Sequence, residues 1–198
     1  MSLIDRVKNI LLTPSSEWGV IDGEPTTTAA LYTGYIVPLA AIGPVAQVVG
    51  YSVFGVQVPF TGTTWRAPIG SAITGAVVTY VLALVSIYVL ALIIDALAPT
   101  FAGTKNQTQA LKVAAYSSTA SWVAGIFAMI PGLRFLGILG LYGLYLLFLG
   151  LPALMKAPKE KAIGYTVVVV IAAIVVFAVV GIVGGRFIEM PMSGVVPG

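Results

Sequence analysis

The run from Ile69 to Ala98 most constrains what this chain can fold into, because it is long, largely apolar and carries one charged side chain, Asp95. A helix needs about 20 predominantly apolar residues to cross the hydrocarbon core of a bilayer, and this run exceeds that length. Inside lipid no water satisfies the peptide groups, so the segment must make its own backbone hydrogen bonds. The run therefore predicts a transmembrane helix with an acid near one end.

The composition extends this interpretation to the whole chain. Of its 198 residues, 59% are hydrophobic and only 9% are charged, whereas soluble domains carry about 25% charged residues. So few charges cannot cover a globule in water. The sequence predicts an all-α fold, a polytopic bundle of five transmembrane helices in a single membrane domain, 1–198. The spans are expected at about 29–54, 69–98, 109–130, 135–155 and 164–185.

Residues 1–28 are predicted to form a cytoplasmic, interfacial segment that contains an amphipathic helix. Its apolar residues recur at helical spacing on one face, at Leu3, Val7, Ile10 and Leu11. Arg6 and Lys8 lie off that face, so the helix can rest on the headgroups with both cations facing anionic lipid. Trp18 is expected to anchor the segment at the interface. The alternative is a helix packed under the membrane bundle.

The distribution of Lys and Arg predicts the orientation. With five spans, the N-terminus, the polar elbow 98–109 and the loop 156–161 share one side of the membrane. That side carries Arg6, Lys8, Lys105, Lys112, Lys156, Lys159 and Lys161, and the other carries Arg66, Arg134 and Arg186. Cytoplasmic loops are enriched in these residues. We expect a multi-pass inner (plasma) membrane protein with a cytoplasmic N-terminus and an outside C-terminus.

Asp95 and Lys112 flank the elbow, each about one helical turn from it. In an antiparallel helix pair they would lie at similar depth, and an ionisable group in a span usually has a partner or a function. We predict that Asp95 faces the bundle interior with Lys112 as its partner. Gln109, Tyr116 and Ser117 are further polar candidates for this intramembrane site. A structural ion pair and a transport or ligand role both remain open for it.

The residues that most enzymes use are absent. The chain has no Cys and no His, which removes thiol nucleophiles, imidazole bases and most zinc sites. Glu17, Asp22 and Glu24 cluster before the first span, where surface acids are the default, so no metal site is expected. There is no glycine-rich nucleotide loop and no basic tract with interleaved aromatics. We expect no enzyme activity, no cofactor and no nucleic-acid partner.

Short motifs follow one another along almost the whole chain. They are Asn9-Ile10-Leu11 with Pro14 and Trp18, Tyr35 with Pro38-Leu39, Phe101-Ala102-Gly103 before Gln109-Ala110-Leu111-Lys112-Val113, Ala115-Tyr116-Ser117, Pro131, Tyr142-Gly143-Leu144-Tyr145, Gly150-Leu151-Pro152, and Lys161-Ala162 with Tyr165-Thr166. In these motifs the chain resembles the bacterial branch of the Yip (Ypt-interacting protein) family of five-span membrane proteins. The resemblance implies a cytoplasmic N-terminus. Eukaryotic members are linked to Rab-type GTPases and vesicle trafficking, but their acidic-aromatic motif is absent here, so that role is not carried over.

Two functions follow as expectations. The first is a non-enzymatic membrane protein that organises membrane partners or lipids. Its small-residue faces, such as Gly181 with Gly185, suit a second copy of the chain or another membrane protein, or serve as internal seams. The alternative is a small transporter or lipid-handling protein with a polar cavity around Asp95 and Lys112. A dry interior with these two residues paired favours the first function, and a polar cavity lined by Asp95 favours the second.

Overall fold

The N-terminal segment forms a helical hairpin in the computed structural model, which describes residues 1–57 and 63–185. Helix α1 spans Leu3–Leu12 and helix α2 spans Pro14–Gly23. The Ser2 hydroxyl caps α1 by accepting from the Asp5 N–H at 3.1 Å. Proline suits the first position of a helix because its missing N–H would have no partner there, so α2 can begin at Pro14 directly after α1.

The first membrane helix is continuous but irregular. Its parts are α3 (Thr28–Leu31), a π-helical turn (Tyr32–Ile36), α4 (Val37–Ala40), α5 (Ile42–Val49) and a second π-helical turn (Gly50–Phe54). Pro38 has no N–H, and its ring would collide with the carbonyl one turn earlier in a regular helix. The wider π turn just before it relieves this collision, with the Val37 N–H bonding back to Tyr32 O. A short antiparallel pair of strands follows, β1 (Val56–Gln57) with β2 (Thr64–Trp65).

Longer helices make up the rest of the bundle. They are α6 (Ile69–Leu97) with a 3₁₀ turn at Ala98–Phe101, α7 (Gln107–Ser117), α8 (Thr119–Ala124) with a 3₁₀ turn at Gly125–Met129, a 3₁₀ helix (Pro131–Leu141) that leads into α9 (Tyr142–Met155), and α10 (Lys159–Gly185). The Asn106 side chain caps α7 by accepting from the Gln109 N–H at 3.1 Å. Ala102 and Lys156 take left-handed backbone conformations where α6 and α9 end.

Within residues 1–57 and 63–185, four helical stretches are long and apolar enough to cross a bilayer. They are Thr28–Phe54, Ile69–Phe101, Pro131–Met155 and Lys159–Val183. The predicted all-α, polytopic membrane bundle is confirmed. The predicted span 109–130 is instead divided between α7, α8 and a 3₁₀ turn, and Ser118 at the first break donates its hydroxyl to Ala114 O at 2.8 Å. The count of five spans therefore stays a prediction.

The divided segment nevertheless connects the two ends of the bundle. At the end that holds the elbow, the Thr104 N–H donates to Met155 O at 2.7 Å, which joins the α6–α7 connection to the end of α9. At the opposite end, Gly50 packs against the carbonyl oxygens of Ala128 and Met129. Since α7 begins at the elbow end and residue 129 lies at the opposite end, 107–129 runs the length of the bundle.

The core lies around α7, while α10 faces outward. Residues 110–117 of α7 are all buried, as expected for a helix enclosed by neighbours on every side. Trp18 packs edge-on to Tyr116, with ring centroids 6.2 Å apart, and Tyr116 packs against Tyr35 at 4.6 Å. The apolar side chains of α10 are mostly exposed along its length. In water, so much exposed apolar surface would promote aggregation. In a bilayer, the same surface contacts the acyl chains of the lipids.

Replacing Gly150 by alanine should lower the thermal stability of the protein in detergent. The new Cβ would lie 2.7 Å from Trp18 Cζ2, and the buried indole has no room to move aside. Overpacking of this kind costs about 1–3 kcal/mol, which exceeds the roughly 0.5–1 kcal/mol that alanine gains over glycine in a helix. Gly181→Ala in α10 is the matched control, because its Cβ meets no atom within 4 Å. Equal stabilisation by both substitutions would contradict the seating of Trp18 against α9.

Candidate functional site

A set of charged and polar side chains holds the N-terminal hairpin against α7 and the end of α9. We call it the hairpin cluster, and its members are Arg6, Glu17, Asp22, Glu24, Gln109, Lys112, Tyr116 and Lys156. The cluster brings together three of the predicted polar intramembrane residues, Gln109, Lys112 and Tyr116. Their partners come from residues 1–28, however, and not from α6.

Arg6 lies at the centre of the hairpin cluster. Its guanidinium donates hydrogen bonds to the carboxylates of Glu17 and Glu24, and its Cζ lies 5.6 Å from the centroid of the Tyr116 ring. Arg6 is only 6% exposed, so the prediction that it faces lipid headgroups is wrong. A buried cation needs opposite charge and hydrogen bonds around it, and the two acids supply both.

The other two predicted anchors differ from each other. Trp18 is 1% exposed and lies against Gly150, so it is a core residue, and the prediction of an interfacial anchor is wrong for it as well. Lys8 is exposed, and its role as an interfacial anchor stays a prediction. The hairpin thus corresponds to the alternative of a helix packed against the bundle, because its apolar stripe meets protein and not headgroups.

Lys112 caps the end of α2. Its Nζ donates to Ile21 O at 2.8 Å and to Glu24 O at 2.6 Å. The last carbonyl groups of a helix have no partner within the helix and carry a partial negative charge. A buried ammonium group satisfies them and is itself satisfied. Lys112 therefore fastens the hairpin to α7, and its ammonium is committed to main-chain oxygens.

Asp22 adds a second attachment beside it. The Gln109 Nε2 donates to Asp22 Oδ1 at 3.0 Å, and Lys156 Nζ lies 2.6 Å from Asp22 Oδ2. This carboxylate therefore links the end of α2 to α7 and to the residue that follows α9. Glu17, Asp22 and Glu24 are all engaged with cations or amides, and no cluster of potential metal ligands exists among the described residues.

Asp95 is not part of the hairpin cluster, and the predicted pairing with Lys112 is wrong. Asp95 is half-buried in α6, close enough to Tyr165 of α10 for an electrostatic interaction. Its Oδ1 atom is buried and has no hydrogen-bond partner in the part of the chain that the structure covers. The Tyr165 hydroxyl donates instead to Ile94 O, and its ring stacks on Phe101 with centroids 4.8 Å apart. Asp95 of α6 and Lys112 of α7 were expected to meet because they lie at similar depth. They do not pair, because the Lys112 side chain is directed toward the end of α2.

The charge of Arg6 is secured by its surroundings. Burial lowers the pKa of the guanidinium, but the hydrogen bond to Glu24 and the charges around it outweigh burial, so the pKa is raised. A group whose pKa rises on folding stabilises the folded state fully below its unfolded pKa. That contribution is lost only as the pH climbs through the raised value. Titration of Arg6 itself therefore leaves stability unchanged at neutral and acidic pH.

A second feature is a cavity of about 960 Å³ in the half of the bundle away from the elbow. The first membrane helix, α6, the divided segment 107–129, the helix from Pro131 and α10 all line it. Most lining residues are small or apolar, among them Ala83, Ala124 and Ala173. Small residues on facing helices leave this space unfilled.

The cavity also has a few polar groups. Ser117 lines it, and its hydroxyl is buried without a hydrogen-bond partner in the described chain. Gln47, Tyr51 and Arg134 line it as well, and the Arg134 Cζ lies 4.9 Å from the centroid of the Tyr51 ring. Asp95 and Lys112 are not among the lining residues. Of the predicted polar site, only Ser117 therefore belongs to the cavity.

Comparison with known families identifies the fold. A model of the Yip1 domain matches residues 8–180. The chain belongs to the Yip1 domain family. The match covers half of α1, all of α2 to α9, most of α10 and the residues that line the cavity. It confirms the resemblance seen in the sequence motifs. No curated protein and no solved structure matches the chain. The assignment to a bacterial branch stays a prediction.

Sequence reasoning missed most of the hairpin cluster and the whole cavity. A signal for the cluster was present, since Glu17, Asp22 and Glu24 precede the first span while buried Lys112 lacks a nearby acid in sequence. The cavity had a weaker signal, because small residues in membrane helices indicate close packing as often as open space.

Replacing Arg6 by alanine should strongly destabilise the hairpin. The substitution leaves Glu17, whose side chain is only 5% exposed, buried without its cation. Breaking a buried pair by removing one partner costs about 3–5 kcal/mol. We expect a lower midpoint of thermal unfolding and faster proteolysis within residues 1–28. Lys8→Ala removes an exposed cation from the same helix and should change neither measurement. Equal effects of the two substitutions would contradict the buried position of Arg6.

Proposed function

We propose that this Yip1-domain protein is a non-enzymatic integral membrane protein that binds a membrane lipid between its helices and thereby organises lipid around it. The cavity of about 960 Å³ is the observation that carries the proposal. Its volume falls at the upper end of the roughly 300–1,000 Å³ typical of ligand sites. It also lies between helices long enough to cross a bilayer, where lipid is the solvent.

An acyl chain suits this lining better than a water-soluble solute does. Ala83, Ala124 and Ala173 offer methyl groups, and an empty apolar space forfeits the dispersion contacts that an occupant would make. A hydrocarbon chain restores those contacts without desolvating a polar group. A hydrophilic solute would leave most of its hydrogen-bonding groups unpaired against such walls.

Solute transport through a site at Asp95 and Lys112 finds less support. Neither residue lines the cavity, and Lys112 is occupied by the carbonyl groups of α2. Catalysis also lacks its usual groups, since the sequence has no Cys or His. Asp95 is the one acid within the predicted spans, so the sequence offers no pair of embedded carboxylates for acid–base catalysis.

We further propose a plasma-membrane location with five crossings, in which 107–129 is the third. The N-terminal hairpin, the elbow and the residue after α9 meet at one end through Asp22–Lys156 and Thr104–Met155. That end collects seven of the ten Lys and Arg residues, which favours the cytoplasmic side. The C-terminus then lies outside.

The orientation can be tested with reporter fusions. A C-terminal fusion to a reporter that is active only outside the cytoplasm should be active, because an odd number of crossings separates the two termini. The same reporter after residue 105, in the elbow, is the control and should be silent. An active elbow fusion together with a silent C-terminal fusion would invert the proposed topology.

Lipid binding can be tested by filling the cavity. Gly43 and Gly137 line it, and a Cβ at either position meets no atom within 4 Å. The double substitution Gly43→Leu/Gly137→Leu should place side chains in the open space without a backbone clash. We expect a several-fold loss of lipid retained by the detergent-purified protein, measured by native mass spectrometry, with thermal stability unchanged or higher.

Asp95→Asn is the control, because Asp95 lies outside the cavity, and it should retain lipid as the native chain does. Ion flux into liposomes that contain either protein should also be the same. Lipid retention that survives cavity filling would overturn the proposal. Flux that depends on Asp95 would favour the transporter instead.

A further inference from the structure

Among the described residues, one charged side chain lines the cavity, that of Arg134. Arg134 lies near the start of the helix Pro131–Leu141, which is at the end of the bundle opposite the elbow. Its guanidinium packs over the ring of Tyr51 from the first membrane helix. This cation–π contact holds the side chain in place and does not use up the hydrogen-bonding capacity of its N–H groups.

Arg134 has no counter-ion within residues 1–57 and 63–185. By contrast, Arg6 and Lys156 bind carboxylates and Lys112 binds carbonyl oxygens. A guanidinium carries five donors in a planar fork that matches a phosphate group. Arg134 therefore presents an unused anion-binding group at the edge of an apolar cavity.

The cavity lining is polar near Arg134 and apolar farther along, which matches the head group and acyl chain of a lipid. Gln47 lies about one turn from Tyr51, and its amide has no hydrogen bond to any described residue. Farther along the same helix the cavity is lined by Ala40, and across from it by Leu90 and Leu147. From Ala40 to Tyr51 the helix advances roughly 16 Å at ~1.5 Å per residue. This is about half of the ~30 Å hydrocarbon core, the depth of one leaflet.

The charges at this end favour a net negative head group over a zwitterionic one. The acids in the described ranges lie toward the elbow end, at Asp5, Glu17, Asp22, Glu24, Asp95 and Glu160. The ammonium group of a zwitterionic lipid would meet no carboxylate of residues 1–57 or 63–185 beside Arg134 and would be repelled by the guanidinium. An anionic phosphodiester meets the guanidinium without that penalty, through charge-assisted hydrogen bonds.

We infer that the cavity selects an anionic phospholipid from the leaflet at the end opposite the elbow, with its phosphate on Arg134 and an acyl chain along the cavity. The inference rests on the proposed function and adds the class of head group, the residue that recognises it and the leaflet of origin. In the proposed orientation that leaflet is the outer one.

The experiment offers the detergent-purified full chain an equimolar mixture of phosphatidylglycerol and phosphatidylcholine with identical acyl chains. Bound lipid is identified by native mass spectrometry. The native chain should prefer phosphatidylglycerol by about tenfold, because both phosphates can accept from Arg134 but only phosphatidylcholine brings a second cation close to the guanidinium. Arg134→Gln should bring the ratio close to one, while total retained lipid remains because the apolar cavity is intact.

Arg66→Gln is the matched control. Arg66 is an exposed arginine assigned to the same side of the membrane, and it is not among the cavity-lining residues. Its loss should leave the preference unchanged. If Arg134→Gln does not fold, the inference can still be tested on the native chain. Its preference for phosphatidylglycerol should fall as the salt concentration rises, and a preference that does not change with salt would overturn the inference.

The results separate the two proposals. Equal binding of both lipids by the native chain, or a preference that survives Arg134→Gln, overturns the inference and leaves lipid binding in the cavity standing. Equal loss of preference in Arg134→Gln and Arg66→Gln also overturns it, since any nearby cation would then suffice. If the native chain retains neither lipid, both the inference and the proposed function fail.

Discussion

The contact between Lys112 and the end of α2 is the interaction on which the elbow half of the molecule depends. A helix that ends against protein cannot leave its last carbonyl groups unpaired, and a buried ammonium cannot remain without acceptors. The ammonium group of Lys112 donates hydrogen bonds to these carbonyl groups, with Nζ 2.8 Å from Ile21 O and 2.6 Å from Glu24 O, so that both donor and acceptors are satisfied. Once α2 is fixed in this way, Trp18 reaches Gly150 and Arg6 lies over Tyr116. The hairpin thereby becomes part of the bundle.

The sequence predicted the membrane fold well because length and hydropathy alone decide which segments can cross lipid. It failed for Lys112 because its partners are main-chain oxygens, which carry no residue identity that a sequence pattern could reveal. It failed for Arg6 because amphipathic spacing marks a buried face without saying whether protein or lipid buries it. The break at Ser118 was also unforeseen, since hydroxyl side chains occur in regular membrane helices as well.

Small residues have two roles in this bundle. Gly103 and Gly150 toward the elbow, and Gly50 and Gly143 farther from it, allow backbone and ring atoms to approach so closely that a Cβ would collide. Gly43 and Gly137 line the cavity, and a Cβ at either position would meet no atom within 4 Å. The same residue type therefore makes close helix contacts at some positions and leaves space open at others.

The hairpin also has a consequence for how the chain is made. Its internal ion pairs involve only residues 6, 17 and 24, so they can form as soon as the first segment leaves the ribosome. The groups that fasten it, Gln109, Lys112 and Lys156, are synthesised much later. The hairpin can therefore complete its docking only after Lys156 has been synthesised, when Arg6 is already paired with its two acids. Docking of the hairpin thus finishes the assembly of the elbow half of the bundle and does not start it.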